Sequence, residues 1–364
     1  MADISVLDRA GVDLVQWLRG VVAGWDRAND DETFPADRLR QIGAAGGLAA
    51  FVELACPADV EALLATLRLI GGADLSVGRI YEGHVNATQL VAAYGDGAQR
   101  EALGRDIAAG RLFGIWNTER APGVTIAPDG DGGYRLAGAK SFATGAGHID
   151  RALITARAAG GRQLVLVDVA DGQERADPDG WRVRGMRGTC SGLFDFTGMI
   201  VGPGALIGGP GDYEREPRFS AGAWRFLAVQ FGAVAALVRH LRDHLVATGK
   251  AEEPVQRARF AACLTAARGA GIWVERAARL AEAADERAVS FVLMARGVVE
   301  EAALAVMDAA ARGVGTEAFF AESRIDRITR DLGLYLRQAL PDDARDRAAA
   351  AWLARDCWDE DRWW

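Results

Sequence analysis

The chain has 364 residues, of which 50% are hydrophobic and 25% charged, and its formal net charge is −8. The length is sufficient for two or three structural units with substantial cores. The acidic balance, without any basic cluster, argues against nucleic-acid binding. No apolar run approaches the roughly 20 residues that cross a bilayer. We therefore expect a globular protein whose partners include neither nucleic acid nor membrane.

The cysteines and histidines give no metal-binding pattern. The four cysteines are far apart, at Cys56, Cys190, Cys263 and Cys357, and form no CxxC pair. With no secretory signal at the N-terminus, we expect reduced thiols and a cytoplasmic location. His240 and His244 have the i, i+4 spacing of helical metal ligands, but they lack the glutamate of an HExxH motif. Exposed helix residues are the favoured interpretation, and no metal is expected.

Residues 1–111 are predicted to form an N-terminal helical domain. Apolar spacing predicts helices over Asp8–Val22 and Ala98–Ala109, and two more that begin at Pro35 and Pro57. The Gly71-Gly72 pair predicts a helix break. A polar segment that contains Glu82, His84 and Asn86 follows this pair.

Residues 112–217 change to short β-type segments and predict a small antiparallel barrel or sandwich. The predicted strands include Ala152–Ala158, Gln163–Val169, Trp181–Met186 and Leu193–Val201. An earlier apolar segment, Leu112–Trp116, ends in Asn117, Thr118 and Glu119. A turn over Pro128–Gly133 then leads back to Ser141–Gly145. Hydroxyl, amide and aromatic groups at these strand ends could form a pocket for a planar heterocycle.

Residues 218–364 are predicted to form a four-helix bundle. The first helix contains apolar residues at 4-3-4-3-4 spacing from Leu227 to Leu245. A helix that begins at Pro254 and two over Val289–Ala311 and Ala318–Leu340 complete the bundle, and Ala344–Trp352 adds a short last helix. The predicted fold class is α+β, with helical, β and bundle domains in that order.

Four motifs follow this order of domains. Thr118-Glu119 ends the first predicted strand, and Gly138–Gly145 reads GAKSFATG. Gly185–Gly192 reads GMRGTCSG, and Arg257-x-x-Phe260 begins the second bundle helix. Over nearly its whole length, the chain resembles the acyl-CoA dehydrogenase family of flavoproteins.

The resemblance implies FAD as the cofactor. Thr118 would bond the pyrimidine side of the isoalloxazine ring, with the backbone near Trp116 close by. Phe142 and Thr144 would cover and bond the opposite edge. These groups are chemically suited, because hydroxyls and amides satisfy ring heteroatoms and an aromatic ring covers a face.

The resemblance also implies a homodimer or homotetramer. Arg257 would reach the FAD pyrophosphate of a neighbouring subunit, through a charge-assisted contact of the kind that arginine makes with phosphate. Phe260, one helical turn further on, would belong to the same cofactor-binding segment.

The chain departs from the family at the catalytic base. Removing a weakly acidic α-proton requires a positioned carboxylate. Ala339 stands where the usual glutamate is expected, and Trp224 stands at the alternative position. Glu82 and His84 are the replacement candidates. Arg120–Thr125 replaces the family's phosphate loop, and Arg312–Gly315 replaces its Q-x-x-G-G segment.

Three functions follow from these observations. The leading one is hydride transfer from a small-molecule substrate, such as a CoA or carrier thioester, to flavin N5, with a flavoprotein as electron acceptor. The second is a flavin-dependent monooxygenase on the same scaffold, in which His84 and Asn86 would matter. The third is a non-catalytic flavin-binding protein.

Overall fold

The structure is a computed structural model that describes residues 4–25, 33–338 and 340–354. The chain divides into two compact units. One comprises Met1–Thr66 with Ser76–Arg215, and the other Leu67–Leu75 with Glu216–Trp364. Helices, then strands, then long helices follow one another along the chain, so the predicted α+β class is confirmed.

The first part of the chain is helical, as predicted. Its helices are α1 (Ile4–Trp25), α2 (Ala36–Ala44), α3 (Pro57–Ala73), α4 (Leu75–Tyr94) and α5 (Gly97–Ala108). The start of α5 is fixed by a reciprocal capping box between Asp96 and Gln99. The polar segment around Glu82 and His84 lies within α4.

The strands form two sheets. They are β1 (Phe113–Trp116), β2 (Thr125–Pro128), β3 (Tyr134–Ala137), β4 (Ala139–Ala143), β5 (Arg151–Ala158), β6 (Gly161–Asp168), β7 (Ala176–Asp177), β8 (Gly192–Asp195), β9 (Ile200–Val201) and β10 (Leu206–Ile207). The larger sheet has the order β10-β6-β5-β2-β3-β9, with β1 also paired to β5. The smaller sheet has the order β4-β8-β7. Most pairings are antiparallel, but β1 and β2 both pair with β5 in parallel, so the larger sheet is mixed.

Two predicted strands differ from the structure. Leu193–Val201 is interrupted after Asp195, and its two ends belong to β8 and β9, in different sheets. Trp181–Met186 contains the end of a 3-10 turn followed by irregular backbone, in place of a strand. The indole nitrogen of Trp181 donates to the carbonyl of Met186 at 3.0 Å, which ties this segment into a compact loop. The apolar pattern there reflects burial within the loop.

The β1 strand is fixed by an apolar core shared with α4 and α5. Leu90 and Val91 of α4 and Leu103 of α5 pack with Phe113 of β1 and Leu153 of β5. All five side chains are buried, each contributing roughly 1.5–3 kcal/mol. This core fixes the point at which β1 ends, and therefore the position of the polar residues that follow it.

The remaining helices form the predicted bundle. They are α6 (Arg218–Ala221), α7 (Trp224–Ala247), α8 (Pro254–Glu282), α9 (Ala288–Val314), α10 (Arg324–Tyr335) and α11 (Pro341–Leu353). The predicted helix over Ala318–Leu340 is shorter, because a 3-10 turn over Thr316–Phe319 precedes α10. The region Arg218–Ala247 is long and apolar enough to span a membrane, but 83% of its most apolar window is buried, as is typical of a bundle-core helix.

The predicted break at Gly71-Gly72 is wrong, because α3 continues through both glycines to Ala73. A Cβ atom at Gly71 would lie 2.2 Å from the carbonyl oxygen of Val229 on α7. A Cβ atom at Gly232 would meet the carbonyl oxygen of Arg68 at the same distance. The glycines therefore allow close contact between the backbones of two helices.

Among the described residues, Cys56, Cys190 and Cys263 take part in no disulfide. Cys357 lies outside the described residues.

Candidate functional site

The segment after β1 is held against the start of β4. The amide of Ser141 donates to the carbonyl of Thr118 at 3.0 Å. One residue earlier, the amine of Lys140 donates to the carbonyl of Asn117 at 3.1 Å. The side chain of Thr118 is exposed at the end of this paired segment. The two motif regions therefore contact each other, with Thr118 at the open end of this contact.

Phe142 combines a strained backbone conformation with an exposed aromatic ring. Its φ is +54°, a left-handed value that is costly for a bulky side chain, and the ladder is irregular between Lys140 and Ala143. Its ring is 55% exposed and meets Trp181 edge-on, with ring centroids 6.2 Å apart. Strained and exposed aromatic residues cluster at ligand sites. The ring is free to cover a planar ligand.

Ser141 is a further candidate for the site, which the sequence analysis did not name. Its side chain is buried, yet its hydroxyl has no hydrogen-bond partner among the described residues. A buried hydroxyl without a partner costs roughly 1–3 kcal/mol, so such an atom calls for an explanation. A ligand heteroatom beside Phe142 would supply one. The only available signal was the position of Ser141 inside the GAKSFATG motif.

Thr144 is buried and belongs to a cluster of hydroxyls. Its hydroxyl lies 3.2 Å from that of Ser191, which in turn lies 2.8 Å from that of Thr189. Its carbonyl accepts a hydrogen bond from the indole nitrogen of Trp116 at 2.9 Å. The Trp116 ring packs with Phe194 in the core, so only its backbone could contact a ligand.

A buried charge network lies behind these strands. The Lys140 side chain is fully buried and bonds Glu119, the hydroxyl of Thr155 at 3.0 Å and the carbonyl of Asn117. Arg162 continues the network from Thr155 to Glu214, with 2.6 and 3.1 Å contacts. Burial lowers the pKa of Lys140. Burial alone would raise the pKa of Glu119, but hydrogen bonds from Lys140 and the Val124 amide outweigh it and lower the pKa.

Both ring nitrogens of His84 are occupied by the backbone. Its Nδ1 accepts from the amide of Phe113 at 3.1 Å, which leaves the proton on Nε2 to donate to the carbonyl of Leu48 at 2.9 Å. Burial lowers the pKa of the imidazole to about 4. This geometry favours a neutral, structural histidine over the predicted catalytic one. Asn86, two residues further along α4, is half-buried.

Glu82 is buried and paired with Arg79, one turn earlier on α4. It belongs to a charged group around Tyr213, to which Arg162 and Glu214 also contribute. Burial is the main cause that raises the pKa of the Tyr213 hydroxyl to about 12. Because the Glu82 carboxylate is already paired with the Arg79 guanidinium, this arrangement gives little support to Glu82 as the catalytic residue.

The alternative base position, at the start of α7, is filled by an indole. Trp224 is fully buried, and its Nε1 donates to Glu282 of α8 at 2.8 Å. Arg225 donates to the same carboxylate oxygen at 2.9 Å. Glu282 therefore anchors both residues, and its negative charge is compensated by the guanidinium. Ala339, at the usual base position, lies outside the described residues.

Arg257 and Phe260 lie in the first two turns of α8. The Arg257 side chain is 56% exposed and donates to the carbonyl of Glu252 at 2.8 Å, while Phe260 is half-buried. The Arg257 guanidinium retains N–H donors that face solvent and could bind a phosphate. Its predicted contact with the cofactor of another subunit stays a prediction.

His240 and His244 were predicted to be exposed, but both are half-buried. They line a cleft of about 360 Å³ together with Glu317, Ser323 and Arg324. In the ranges that the structure describes, no group of three or more His, Cys, Asp or Glu residues could hold a metal ion.

Several curated proteins and solved structures are similar to this chain. No family model matches. A dibenzothiophene monooxygenase from Rhodococcus qingshengii is 28% identical over 56% of this chain and 53% of its own length. One from Mycolicibacterium goodii is 29% identical over 42% and 40%. The chain spans about half the length of the curated relatives it matches.

The solved structures cover almost the whole chain. FMN-bound TdsC from Paenibacillus sp. A11-2 has a TM-score of 0.78 at 18% identity, covering 96% of this chain and 97% of TdsC. A nitrososynthase from Micromonospora carbonacea var. africana has a TM-score of 0.79 at 22% identity, covering 95% and 97%. KijD3, in complex with FMN and an amino-sugar nucleotide, has a TM-score of 0.79 at 20% identity, covering 95% and 94%.

These likenesses establish the fold. The chain has the helical, β and bundle architecture of the flavoproteins it resembles. The four motifs predicted a resemblance to acyl-CoA dehydrogenase family flavoproteins. This resemblance is confirmed at the level of the fold, from which the chain diverges in sequence.

Proposed function

We propose that the chain is a flavin-dependent monooxygenase built on the acyl-CoA dehydrogenase fold. The observation that carries this proposal is that the candidate carboxylates are paired with arginines and that an indole fills one base position. In the described parts of the chain, Trp224 fills one base position, while Glu82 and Glu282 are each paired with an arginine. Dehydrogenation of a thioester needs a free carboxylate base, whereas oxygen transfer from a reduced flavin does not. The dibenzothiophene monooxygenases among the relatives support the same function.

The site fits the isoalloxazine ring of a flavin. The exposed ring of Phe142 would cover one face of it, and the unpartnered hydroxyl of Ser141 would bond a ring heteroatom. Thr144 and Thr118 would bond opposite edges, with the backbone of Trp116 beside Thr118. These roles rest on the match between the two strand motifs and those of the family.

FMN is the flavin that we propose, in place of the FAD expected from the family resemblance. The family's phosphate loop is replaced by Arg120–Thr125 in this chain. The structures of TdsC and KijD3 contain FMN. Both observations favour a mononucleotide over a dinucleotide.

When bound and reduced, the flavin would supply two electrons and two protons, so that one atom of dioxygen enters the substrate and the other leaves as water. The substrate that we propose is a small molecule with an oxidisable sulfur or nitrogen atom, since dibenzothiophene and indole appear among the relatives' names. In this function the chain's own residues cover, orient and hydrogen-bond the ring.

A flavin reductase replaces the predicted electron-accepting flavoprotein as partner. The predicted homo-oligomer and cytoplasmic location carry over unchanged.

The test is an isotope experiment. The purified protein is given chemically reduced FMN, isotopically labelled dioxygen and, in turn, dibenzothiophene, indole or an amino-sugar nucleotide. Label in the organic product, detected by mass spectrometry, is the expected result.

A parallel anaerobic incubation of the oxidised flavoprotein with acyl-CoA thioesters measures bleaching of flavin absorbance. Bleaching there, without label in the first experiment, would restore the dehydrogenase hypothesis. Bound flavin that gives neither signal would favour the non-catalytic alternative.

A further inference from the structure

Two ion pairs and a tyrosine lie together within one compact unit of the chain. Arg79 pairs with Glu82 on α4, and Arg162 of β6 lies 3.1 Å from Glu214 of the 3-10 turn that follows β10. Tyr213 packs against the apolar core that α4 shares with β1. It also interacts electrostatically with all four charged side chains. These five residues, which we call the polar cluster, bring three separate elements to one place.

The polar cluster reaches the segment that carries Thr118 through Arg162. The guanidinium of Arg162 donates to the side-chain oxygen of Asn117, and to the hydroxyl of Thr155 at 2.6 Å. The Thr155 hydroxyl donates to the same Asn117 oxygen at 2.9 Å. Asn117 directly precedes Thr118, whose side chain is exposed. The polar cluster and the open end of this segment are therefore neighbours.

The polar cluster is closed on one side and open on the other. The side chain of Glu82 is 3% exposed, whereas those of Glu214 and Arg162 are 34% and 39% exposed. The two arginines and two glutamates carry no net charge together, so a ligand with a net charge gains little from them. Guanidinium groups donate hydrogen bonds and carboxylates accept them. Neutral groups that do both, such as hydroxyls and amides, therefore match the cluster.

One atom of the cluster can accept a further hydrogen bond. The Oε1 atom of Glu214 is buried and, although it lies 3.1 Å from Arg162, it accepts no hydrogen bond from the described residues. A buried acceptor without a hydrogen bond costs roughly 1–3 kcal/mol. The buried pair of Arg79 and Glu82 offsets little of this, because replacing such a pair by apolar residues is often neutral or stabilising. A ligand hydroxyl or amide that donates to Glu214 would account for this arrangement.

We propose that the polar cluster binds the hydroxyl- or amide-bearing part of the substrate, and that Glu214 accepts a hydrogen bond from it. This inference rests on the proposed function and deepens it, since a flavin held at Thr118 would put its substrate next to the cluster. The substrate is then a polar sulfur or nitrogen compound rather than a fused apolar aromatic. An apolar ligand would cover charged groups without replacing their hydration. Sites built to hydrogen-bond a substrate strongly reject analogues that lack the polar group.

The test uses two sulfides that differ mainly in their hydroxyl groups. Phenyl thioglucoside and phenyl cyclohexyl sulfide share an oxidisable sulfur atom between an aromatic ring and a saturated six-membered ring. Binding of each to the FMN-loaded protein is followed through the change in flavin absorbance. The wild type should bind the thioglucoside at least roughly a hundredfold more tightly than the cyclohexyl sulfide. Glu214→Gln should weaken the thioglucoside roughly tenfold and leave FMN affinity unchanged, because the anionic acceptor is lost.

Glu174→Gln is the matched control. Glu174 also pairs with an arginine of the same compact unit, Arg175 at 3.7 Å, but its side chain is 71% exposed. This variant should bind both sulfides as the wild type does. If Glu214→Gln does not fold, Tyr213→Phe removes only a hydroxyl from the cluster and should weaken the thioglucoside in the same sense. Tyr94→Phe, on the same apolar core, is its control.

Equal affinity of the wild type for the two sulfides, or an equal loss in Glu214→Gln and Glu174→Gln, would overturn the polar cluster as a substrate site. Incubation with reduced FMN and labelled dioxygen tests the proposed function separately. Labelled sulfoxide from both sulfides at the same kcat/KM would overturn the polar cluster and leave the monooxygenase intact. Selective binding of the thioglucoside without labelled product would support the polar cluster and contradict the monooxygenase.

Discussion

The amine of Lys140 donates to the backbone carbonyl of Asn117 at 3.1 Å, although the two residues lie 23 positions apart in the sequence. The same amine is paired with Glu119, so it holds Thr118 from both sides. The amide of Ser141 adds a third bond, to Thr118 itself. The exposed hydroxyl of Thr118 is thus presented by a segment fixed at three consecutive residues.

Replacing Lys140 by Met should therefore lower both stability and flavin affinity. The Glu119 carboxylate, only 23% exposed, would lose its buried partner, which costs about 3 kcal/mol in the free energy of unfolding. FMN should bind roughly tenfold more weakly, because Thr118 loses two of the bonds that position it. Urea unfolding and FMN titration measure the two effects.

Arg135→Met is the matched control for Lys140→Met. Arg135 pairs with Asp129 at 3.0 Å on the same domain, but its side chain is 51% exposed. Exposed ion pairs contribute roughly 0–1 kcal/mol, so this variant should resemble the wild type in both measurements. If Lys140→Met is no more destabilising than Arg135→Met, the buried pair does not hold Thr118 in place.

His84 should make the protein sensitive to acid. Its pKa of about 4 lies below the ordinary histidine value because burial excludes charge, and a second proton would face the amide of Phe113. Below pH 6.5 the unfolded chain binds a proton that the folded chain excludes. Stability therefore falls as the pH drops from 6.5 to 4, by about 3 kcal/mol in total at 1.36 kcal/mol per unit of pKa shift.

The measurement compares the wild type with His84→Gln, whose amide does not titrate, by urea unfolding across this pH range. The difference in unfolding free energy between the two proteins should change by that amount between pH 6.5 and 4. His148→Gln is the comparison: partial burial also lowers the pKa of that imidazole, but its side chain is exposed and stacks on Phe34 at 4.5 Å, so a smaller change is expected. A constant difference between wild type and His84→Gln would show that His84 does not titrate in this way.

The order of helices, strands and bundle helices was predictable because each element has its own apolar period. The predictions that failed are those in which a local sequence feature had a different physical cause from the one assumed. Gly71 suggested a break, but its lack of a side chain serves contact with the Val229 backbone, which lies far away in the sequence. Trp181 suggested a strand, but its apolar ring closes a loop over Met186.

The site was predictable only to the level of the motif. Phe142, Thr144 and Thr118 could be named as candidates because they occupy motif positions, and the ring of Phe142 is 55% exposed. The contact between Thr144 and Ser191 joins residues 47 positions apart, and it depends on how the turn after Met186 folds back on the strand end. No local pattern encodes such a contact. His84 looked catalytic because composition does not reveal what its nitrogens bond.

Phe142 should show a trade-off between stability and flavin binding. Its left-handed backbone at φ +54° is costly for phenylalanine but not for glycine. Phe142→Gly should therefore raise the unfolding free energy of the flavin-free protein by roughly 1 kcal/mol. FMN should bind at least roughly tenfold more weakly, because the ring that covers the flavin is gone. Phe142→Trp keeps an aromatic ring at this position and should therefore bind FMN more tightly than Phe142→Gly. Loss of stability in the glycine variant would contradict the assigned strain.

Arg257 distinguishes the two flavins. In the family pattern this arginine reaches the pyrophosphate of FAD in a neighbouring subunit, a group that FMN lacks. If FMN is the cofactor, Arg257→Ala should leave its dissociation constant within about twofold of the wild type, since the guanidinium is 56% exposed and bonds only Glu252 among the contacts described. Arg242→Ala, at a side chain 65% exposed, is the control. Fluorescence titration with each flavin is the measurement. Tight FAD binding that is lost in Arg257→Ala and kept in Arg242→Ala would reverse the choice of FMN and give Arg257 the role that the motif predicts.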